Sequence, residues 1–285
     1  MRQKIKKERL DNFLVEKGYF ETKSQAQGNI LAGKVKINGE VITKAGTQIN
    51  PEKIKDIAIE SMPYVSRGGF KLEKALKEFN IDLEGKICLD AGASTGGFTD
   101  CMLQNGALKV YAVDVGYGQI AWKLRNNPCV IVIERTNIRN ANTEEIYGEE
   151  TAENFAEFCT MDLSFISITK VLENITKLLH PDKQEIIALI KPQFEADKEN
   201  VPKSGVVKDK NIHVKVIENV VNFACIINLF PVNLTYSPIQ GPAGNIEYLI
   251  HLQKSSCYCI HDVEKFIIQT VEKAHEHFNP NKIKQ

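Results

Sequence analysis

The chain has 285 residues, 43% of them hydrophobic and 25% charged, with 36 basic side chains against 36 acidic ones, a balance that excludes a disordered or fibrous protein. No apolar run is long enough to span a bilayer, and the basic start MRQKIKKERL has no apolar core behind it, so a membrane anchor and a secretory leader are not expected. The neutral total hides an asymmetry: residues 1–60 carry 12 Lys and Arg against 8 Asp and Glu, and the remainder 24 against 28, which points to a front segment that meets a polyanion.

That front segment reads as a small α+β unit. In RLDNFLVEKG, Leu10, Phe13 and Leu14 form one helical stripe that Gly18 closes. Ser24 is a candidate cap for QAQGNILAG, where Ala26, Ile30 and Leu31 share a face and Gly33 is a stop. KVKING alternates Val35 and Ile37 and ends on Asn38-Gly39, a hairpin signal; VITKAGTQI and KDIAIE read as further short strands. Arg9, Lys23, Lys34, Lys36 and Lys44 cluster around these elements. A solvated basic face would look the same, so charge alone does not assign it to nucleic acid.

After a short linker, 61–65, the pattern changes. GGFKLEKALKEF is an amphipathic helix with Leu72, Ala75, Leu76 and Phe79 on its core stripe. Strand and helix signals then alternate: KICLDAG, helix GFTDCMLQNG, KVYAVDVG, helix GQIAWKLRNN, VIVIE, an acidic connector, FCTMD, helix SITKVLENITKLL, EIIALIKP, helix IHVKVIENVVNFACII, LTYSPI, EYLIHLQ and a terminal helix in DVEKFIIQTVEKAHEHF. This is the signature of a doubly wound, mostly parallel α/β sheet. QGPAGNI leaves no room for a helical crossover, so the last strand must run reversed. Seven cysteines are present. Cys88, Cys129 and Cys159 lie in apolar strand-like runs, no C-x-x-C occurs, and the Cys257/Cys259 pair lacks zinc-ligand spacing. A metal-free protein of a reducing cytoplasm is expected.

Two groups of residues carry chemistry. LDAGASTGGFTD follows a strand and opens a helix; Gly92 allows a tight turn, and Gly96 and Gly97 allow close backbone approach. Ser94 stands where a dinucleotide fingerprint has its second glycine. Asp114, ending the next strand, stands at the distance expected of a carboxylate that binds ribose hydroxyls, and Asp90 could orient the loop or meet an amino group. Lys71, Asp162, Lys191 and Glu247 form the second group. Asp162 and Lys191 end strands, and Glu247 begins the reversed one, so the topology brings these three to one edge of the sheet; Lys71 lies just ahead of it. Singly, each has an ordinary reading as a snorkelling lysine, a cap partner or a rim charge. Together beside a cofactor cleft they suit activation of a hydroxyl. A lysine takes a hydroxyl proton only when neutral; a second ammonium and desolvation favour the neutral form, while carboxylates oppose it.

The markers YVSRGGFKLEKAL, LDAGASTGGFTD, VYAVDVGYGQIAWKLR, MDLSFIS, ALIKPQFE and SPIQGPAGNIEYL together resemble the TlyA (haemolysin A-like) family of ribosomal RNA 2′-O-methyltransferases over nearly the whole chain. The resemblance implies an RNA-binding domain of the ribosomal-protein type at 1–60 and a Rossmann-like, FtsJ-like domain at 66–285 with a seven-stranded sheet. It implies S-adenosylmethionine as cofactor, a cytidine 2′-hydroxyl in ribosomal RNA or ribosomal subunits as target, and Lys71, Asp162, Lys191 and Glu247 as the catalytic set. The implied cofactor residues are Asp90, Gly92, Ser94, Thr95, Gly96, Gly97, Phe98, Asp114, Asn137 and Asp162. The implied RNA contacts are Arg9, Lys23, Lys34, Lys36, Lys44 and Arg67, and a monomer is expected. Ser204-Gly205 and Ala45 depart from the family's usual Gly-Gly and Pro. The competing classes are a non-catalytic RNA-binding protein, a nicotinamide-dependent oxidoreductase and a haemolysin; Ser94 and the reversed strand tell against the oxidoreductase, and the absence of a spanning run tells against the haemolysin.

Overall fold

The computed structural model describes residues 7–20, 22–31, 33–59, 62–149, 151–254 and 262–279, and the chain divides into two compact units, Met1–Pro63 and Tyr64–Gln285. Ser61 of the expected linker, and Cys257 and Cys259, lie outside the described residues.

In the first unit, Glu8–Arg9 (β1) leads into Leu10–Glu16 (α1) and Lys23–Leu31 (α2), followed by Val35–Ile37 (β2), Glu40–Ile42 (β3), Gln48–Ile49 (β4) and Ile57–Ile59 (β5). Leu10, Phe13, Leu14, Ala26, Ile30, Val35 and Ile49 form its core. Asn38 and Gly39 both take positive φ, 51° and 85°, which is the turn that joins β2 to β3 with the twist of the strands. Two expectations need correction. The α2 cap is Thr22 rather than Ser24: the Thr22 hydroxyl accepts the Gln25 N–H, and the Gln25 side chain accepts the Thr22 N–H, a reciprocal box. Leu31, the last residue of α2, is 67% exposed and does not share the buried face of Ala26 and Ile30. The β1–β4 ladder was not legible, since two-residue strands carry no periodicity.

In the second unit, Gly68–Phe79 (α3) precedes Ile87–Ala91 (β6), Gly97–Gln104 (α4), Lys109–Val113 (β7), Trp122–Arg125 (α5), Val130–Ile133 (β8), Thr143–Tyr147 (α6), Phe158–Met161 (β9) and Thr169–Leu178 (α7). Glu185–Ile190 (β10), Pro192–Glu195 (α8), Lys210–Ile226 (α9), Phe230–Tyr236 (β11), Tyr248–Gln253 (β12) and Val263–Phe278 (α10) complete it. The seven strands order as β11-β12-β10-β9-β6-β7-β8. β12 runs antiparallel to both its neighbours, Ile190 lying opposite Tyr248, and the other ladders are parallel. The reversed strand is thus as expected. The helix expected over GQIAWKLRNN shrinks to the four residues of α5. Gly118 has φ +70°, and the carboxylates of Asp114 and Glu134 accept the Gly116 and Gly118 N–H groups, holding that stretch as a loop. The acidic connector contains α6, capped reciprocally by Asn142 and Glu145.

One sheet face packs α3 and α4 through Leu72, Ala75, Leu76, Cys101 and Met102 onto Phe158, Ile187, Leu189 and Leu249. The other carries α6, α7, α9 and α10 over a larger core. β9, β10 and β12 are bare runs of buried residues because both faces are covered. α3 is seated by Tyr64, whose ring lies against Gly69: a Cβ there would come within 2.2 Å of it. Replacement Gly69→Ala should therefore destabilise the second unit by about 1–3 kcal/mol, read from its urea midpoint; an unchanged midpoint would refute this account of how α3 is held.

Candidate active site

The β6–α4 turn makes one wall of a cavity of about 300 Å³ at the carboxyl edge of the parallel strands. Gly92, at φ +87°, is the tightest point: an added Cβ would stand 2.9 Å from the Asp162 carbonyl oxygen and 3.1 Å from Leu163. The Asp114 carboxylate organises the rest, its Oδ2 accepting the Ser94 N–H at 2.8 Å and its Oδ1 the Gly116 N–H at 2.7 Å. Ser94 itself sits at φ +49°, the backbone form a glycine would have adopted freely. Gly92, Ser94, Asp114, Gln119, Thr136, Ile138, Asp162, Leu163, Ser164 and Phe165 line the cavity.

The remaining loop residues named from the sequence lie behind this wall. Asp90 is fully buried, and both its oxygens are taken, one by the Thr99 hydroxyl at 2.6 Å and the other by Thr160 at 2.9 Å. Burial pushes its carboxyl up to about 6, against those two hydrogen bonds. It braces β6, β9 and α4 and is not among the lining residues. Gly96, at φ +91°, makes room for Leu124; Gly97 makes room for Ser66 and the Gly69 backbone; Phe98 is in the core beneath α3. The Thr95 carbonyl accepts the Ala121 N–H. Asn137 caps its own turn through the Arg139 N–H, while its neighbours Thr136 and Ile138 reach the cavity instead. A larger hollow of about 470 Å³, lined by Lys208, Gln240, Ile246 and His275, contains none of the predicted groups.

The four charged residues do converge. Asp162, first beyond β9, receives Lys191 Nζ on Oδ1 at 2.6 Å and Lys71 Nζ on Oδ2 at 3.2 Å. Lys71 Nζ also lies 2.8 Å from Glu247 Oε2. The result is a chain Lys191–Asp162–Lys71–Glu247, and all but Asp162 are less than 9% exposed. Lys191 also donates to the Ser164 hydroxyl at 3.0 Å. Pro192 opens α8 directly after it, and Glu195 accepts from the Ser167 hydroxyl and the Ile168 N–H, locking that strand exit to the start of α7. Burial works against both members of the central pair, but their partners outweigh it: Lys71 and Lys191 hold the Asp162 carboxyl below its usual range. For Lys71 the balance is the reverse of depression. Desolvation lowers its amine, yet Asp162 and Glu247 together hold it above the usual range.

Sequence reading missed Gln119, Thr136, Ile138, Leu163, Ser164 and Phe165 as cavity residues. MDLSFIS, running on past its carboxylate, held a signal for Leu163, Ser164 and Phe165, and VYAVDVGYGQIAWKLR one for Gln119. Arg67, exposed, immediately precedes α3 and makes no side-chain capping hydrogen bond there. Of the front-unit basic residues, Lys23 and Lys44 are exposed and Lys34 and Lys36 half-buried. Arg9 is committed to the buried Asp11 through two hydrogen bonds, 3.0 and 2.6 Å. Among the described residues no helix is long and apolar enough to cross a membrane, and no His, Cys, Asp and Glu cluster is arranged to hold a metal ion.

Comparison with known proteins is consistent in both units. Residues 64–254 match the FtsJ-like methyltransferase family, and residues 8–54 the S4 domain. The chain is 41% identical over 246 residues to the 16S/23S rRNA (cytidine-2′-O)-methyltransferase TlyA of Mycobacterium tuberculosis, covering 86% of this chain and 89% of that protein. It is 45% identical over 247 residues to Hemolysin A of Brachyspira hyodysenteriae, covering 85% and 98%. A solved structure named "Putative hemolysin from Streptococcus thermophilus" superposes with a TM-score of 0.74 at 42% identity, covering 99% of this chain and all of that one.

Because Asp162 pairs with two buried amines, Asp162→Ala should cost about 3–5 kcal/mol of stability, read by chemical denaturation. Its folded-state carboxyl is lowered, so the stability it adds is present above about pH 4 and is lost as pH falls through the lowered value. The variant should therefore show a shallower loss of stability on acidification below pH 4; an acid limb as steep as that of the parent would refute the pairing.

Proposed function

The chain belongs to the TlyA (haemolysin A-like) family of FtsJ-like methyltransferases, and on that premise we propose that it methylates a ribose 2′-hydroxyl of ribosomal RNA, on a cytidine, with S-adenosylmethionine as donor. The observation that carries this reading is that one side chain, Asp162, both lines the cavity and joins the two lysines.

The cavity suits the cofactor by its own chemistry. Gly92 leaves no space for a side chain where a ligand would press on the turn. Asp114 spends one lone pair of each oxygen on backbone N–H groups, and those left can accept ribose hydroxyls. Ile138 and Leu163 offer apolar walls to a flat base, and Asp162 a negative charge beside a cationic sulfur. Bound S-adenosylmethionine supplies a methyl group on a sulfonium. The protein positions the hydroxyl and removes its proton, and positioning provides most of the gain.

The two lysines have different surroundings. Lys71 faces two carboxylates and stays an ammonium, so it serves as a hydrogen-bond donor to the ribose oxygen. Lys191 faces one carboxylate and a serine hydroxyl, and we assign it the proton. Glu247 accepts a hydrogen bond from the hydroxyl and Asp162 keeps both amines aimed. The front unit adds affinity through phosphate contacts from Lys23, Lys34, Lys36 and Lys44, with Arg67 at the head of α3.

Replacement Lys191→Ala should reduce turnover at saturating RNA by about 10²-fold or more while cofactor binding, followed calorimetrically, is kept; normal turnover would rule out its role. Mapping ribose methylation on ribosomal RNA from cells with and without the protein should show a cytidine that loses its methyl group. Deleting residues 1–60 should weaken RNA binding and flatten its salt dependence without changing cofactor affinity, and an unaltered salt slope would remove the front unit from RNA recognition.

A further inference from the structure

The loop between β11 and β12 is braced far more heavily than a surface connection requires. Asn245 is 2% exposed; its Oδ1 accepts the Val207 N–H at 3.0 Å and its Nδ2 donates to the Gly205 carbonyl at 2.9 Å. The Val207 carbonyl faces His213 Nε2 at 3.0 Å, and His213 Nδ1 lies 2.7 Å from the Tyr248 hydroxyl. A carbonyl can only accept, so the His213 proton sits on Nε2, which leaves Nδ1 an acceptor facing the Tyr248 hydroxyl and, at 3.1 Å, His275 Nε2. Asn245 and Tyr248 are thus tied to one residue, Val207, from both ends of Ile246-Glu247. Backbone bonds finish the brace: the Ser237 N–H donates to the Glu247 carbonyl at 2.8 Å, and the Gly241 N–H to the Asn245 carbonyl at 2.9 Å.

Gly241 then meets the carboxylate itself. A Cβ at this position would lie 2.6 Å from Glu247 Oε1 and 3.3 Å from its Cδ. Gly241 does not take a positive φ, so no backbone requirement calls for glycine here. What the missing side chain leaves is the space in which the Glu247 carboxylate stands, 1% exposed and 2.8 Å from the Lys71 ammonium.

We infer that Gly241 and Asn245 are positioning residues that set the Glu247 carboxylate against Lys71, Gly241 by vacating its seat and Asn245 by fixing the backbone that carries it. The inference rests on the proposed role of the charged set, but its geometry can be tested without the reaction. An added methyl group is relieved most cheaply by the carboxylate swinging off Lys71, since Glu247 Oε1 is the far end of a side chain and the other close atom is backbone 3.8 Å away. Loss of that partner removes one of the two charges that raise the Lys71 amine.

The test follows Lys71 by NMR in lysine-labelled protein, its signal assigned by its disappearance in Lys71→Met. Gly241→Ala should move the Lys71 titration downward, in the direction Glu247→Gln moves it, while leaving the melting transition cooperative. Asn245→Ala should do the same by the other route, so the test survives should either variant fail to fold. A folded variant of either kind with an unmoved Lys71 signal overturns the inference. In turnover, Gly241→Ala should lower kcat by about 10²-fold with KM for cofactor unchanged, and should cost less than about threefold when added to Glu247→Ala, as expected of two changes acting on one group. Equal losses in both backgrounds would overturn it. If the Lys71 signal moves but the parent protein methylates no RNA, the positioning stands and the assigned reaction falls.

Discussion

Two lysine amines share one carboxylate at the end of β9, and the arrangement of the charged edge follows from that sharing. Asp162 could not hold Lys71 and Lys191 together unless both were drawn out of bulk water, because exposed pairs of this kind contribute little. Burial alone would drive the amines toward neutrality and the acid toward protonation. The pairing reverses both tendencies, keeping Asp162 ionised and Lys71 charged. The second carboxylate, Glu247, completes a set of two amines and two carboxylates, so the edge is densely polar although three of the four residues are buried. A set of this kind is held in place by its surroundings more than by its own attraction, since desolvation consumes much of the Coulombic gain.

Those surroundings come from four separate elements. The ends of β9 and β10 supply Asp162 and Lys191; the start of β12 supplies Glu247 because that strand runs the other way; α3 reaches across the sheet to deliver Lys71. A parallel strand in the place of β12 would put residue 247 at the opposite edge of the sheet. Beneath the loops, Asp90 ties β6 to β9 and α4 through two threonine hydroxyls, and Asp114 fixes the turn that follows Gly92. The three carboxylates first read as cofactor contacts therefore stand differently: Asp114 and Asp162 line the cavity and Asp90 supports the wall. Glu195 does for the exit of β10 what Asn245 does for the entry of β12.

Much of this was legible from residue order. Alternating strand and helix patterns gave the layered sheet, the short QGPAGNI connection gave the reversal, and strand ends in a parallel sheet gather at one edge by geometry. The four charged positions were therefore readable as neighbours. Other features were not. The short β1–β4 ladder and the four-residue α8 fall below the length at which periodicity speaks. Ser24 and Thr22 each have a glutamine three residues on, but Gln27 is drawn to the buried Asp11 while Gln25 pairs with Thr22, a tertiary choice that spacing does not reveal. Asn137 turned inward on its own loop, and Thr136 and Ile138 took the cavity wall, because a one-residue rotation in an irregular segment leaves no trace in composition.

The residue order by itself determined the class of fold, the edge at which the site lies, and the kinds of groups gathered there. Each of these follows from hydrophobic period, connection length and strand direction, which are local or topological properties. The tertiary structure alone decided which amine faces two carboxylates and which faces one, that Gly96, Gly97 and Phe98 serve packing while Gly92 borders the cavity, and that Gly241 keeps a space for Glu247. Those outcomes depend on distances of a few tenths of an ångström between segments far apart in the chain, and such distances are set when the packed layers close on one another.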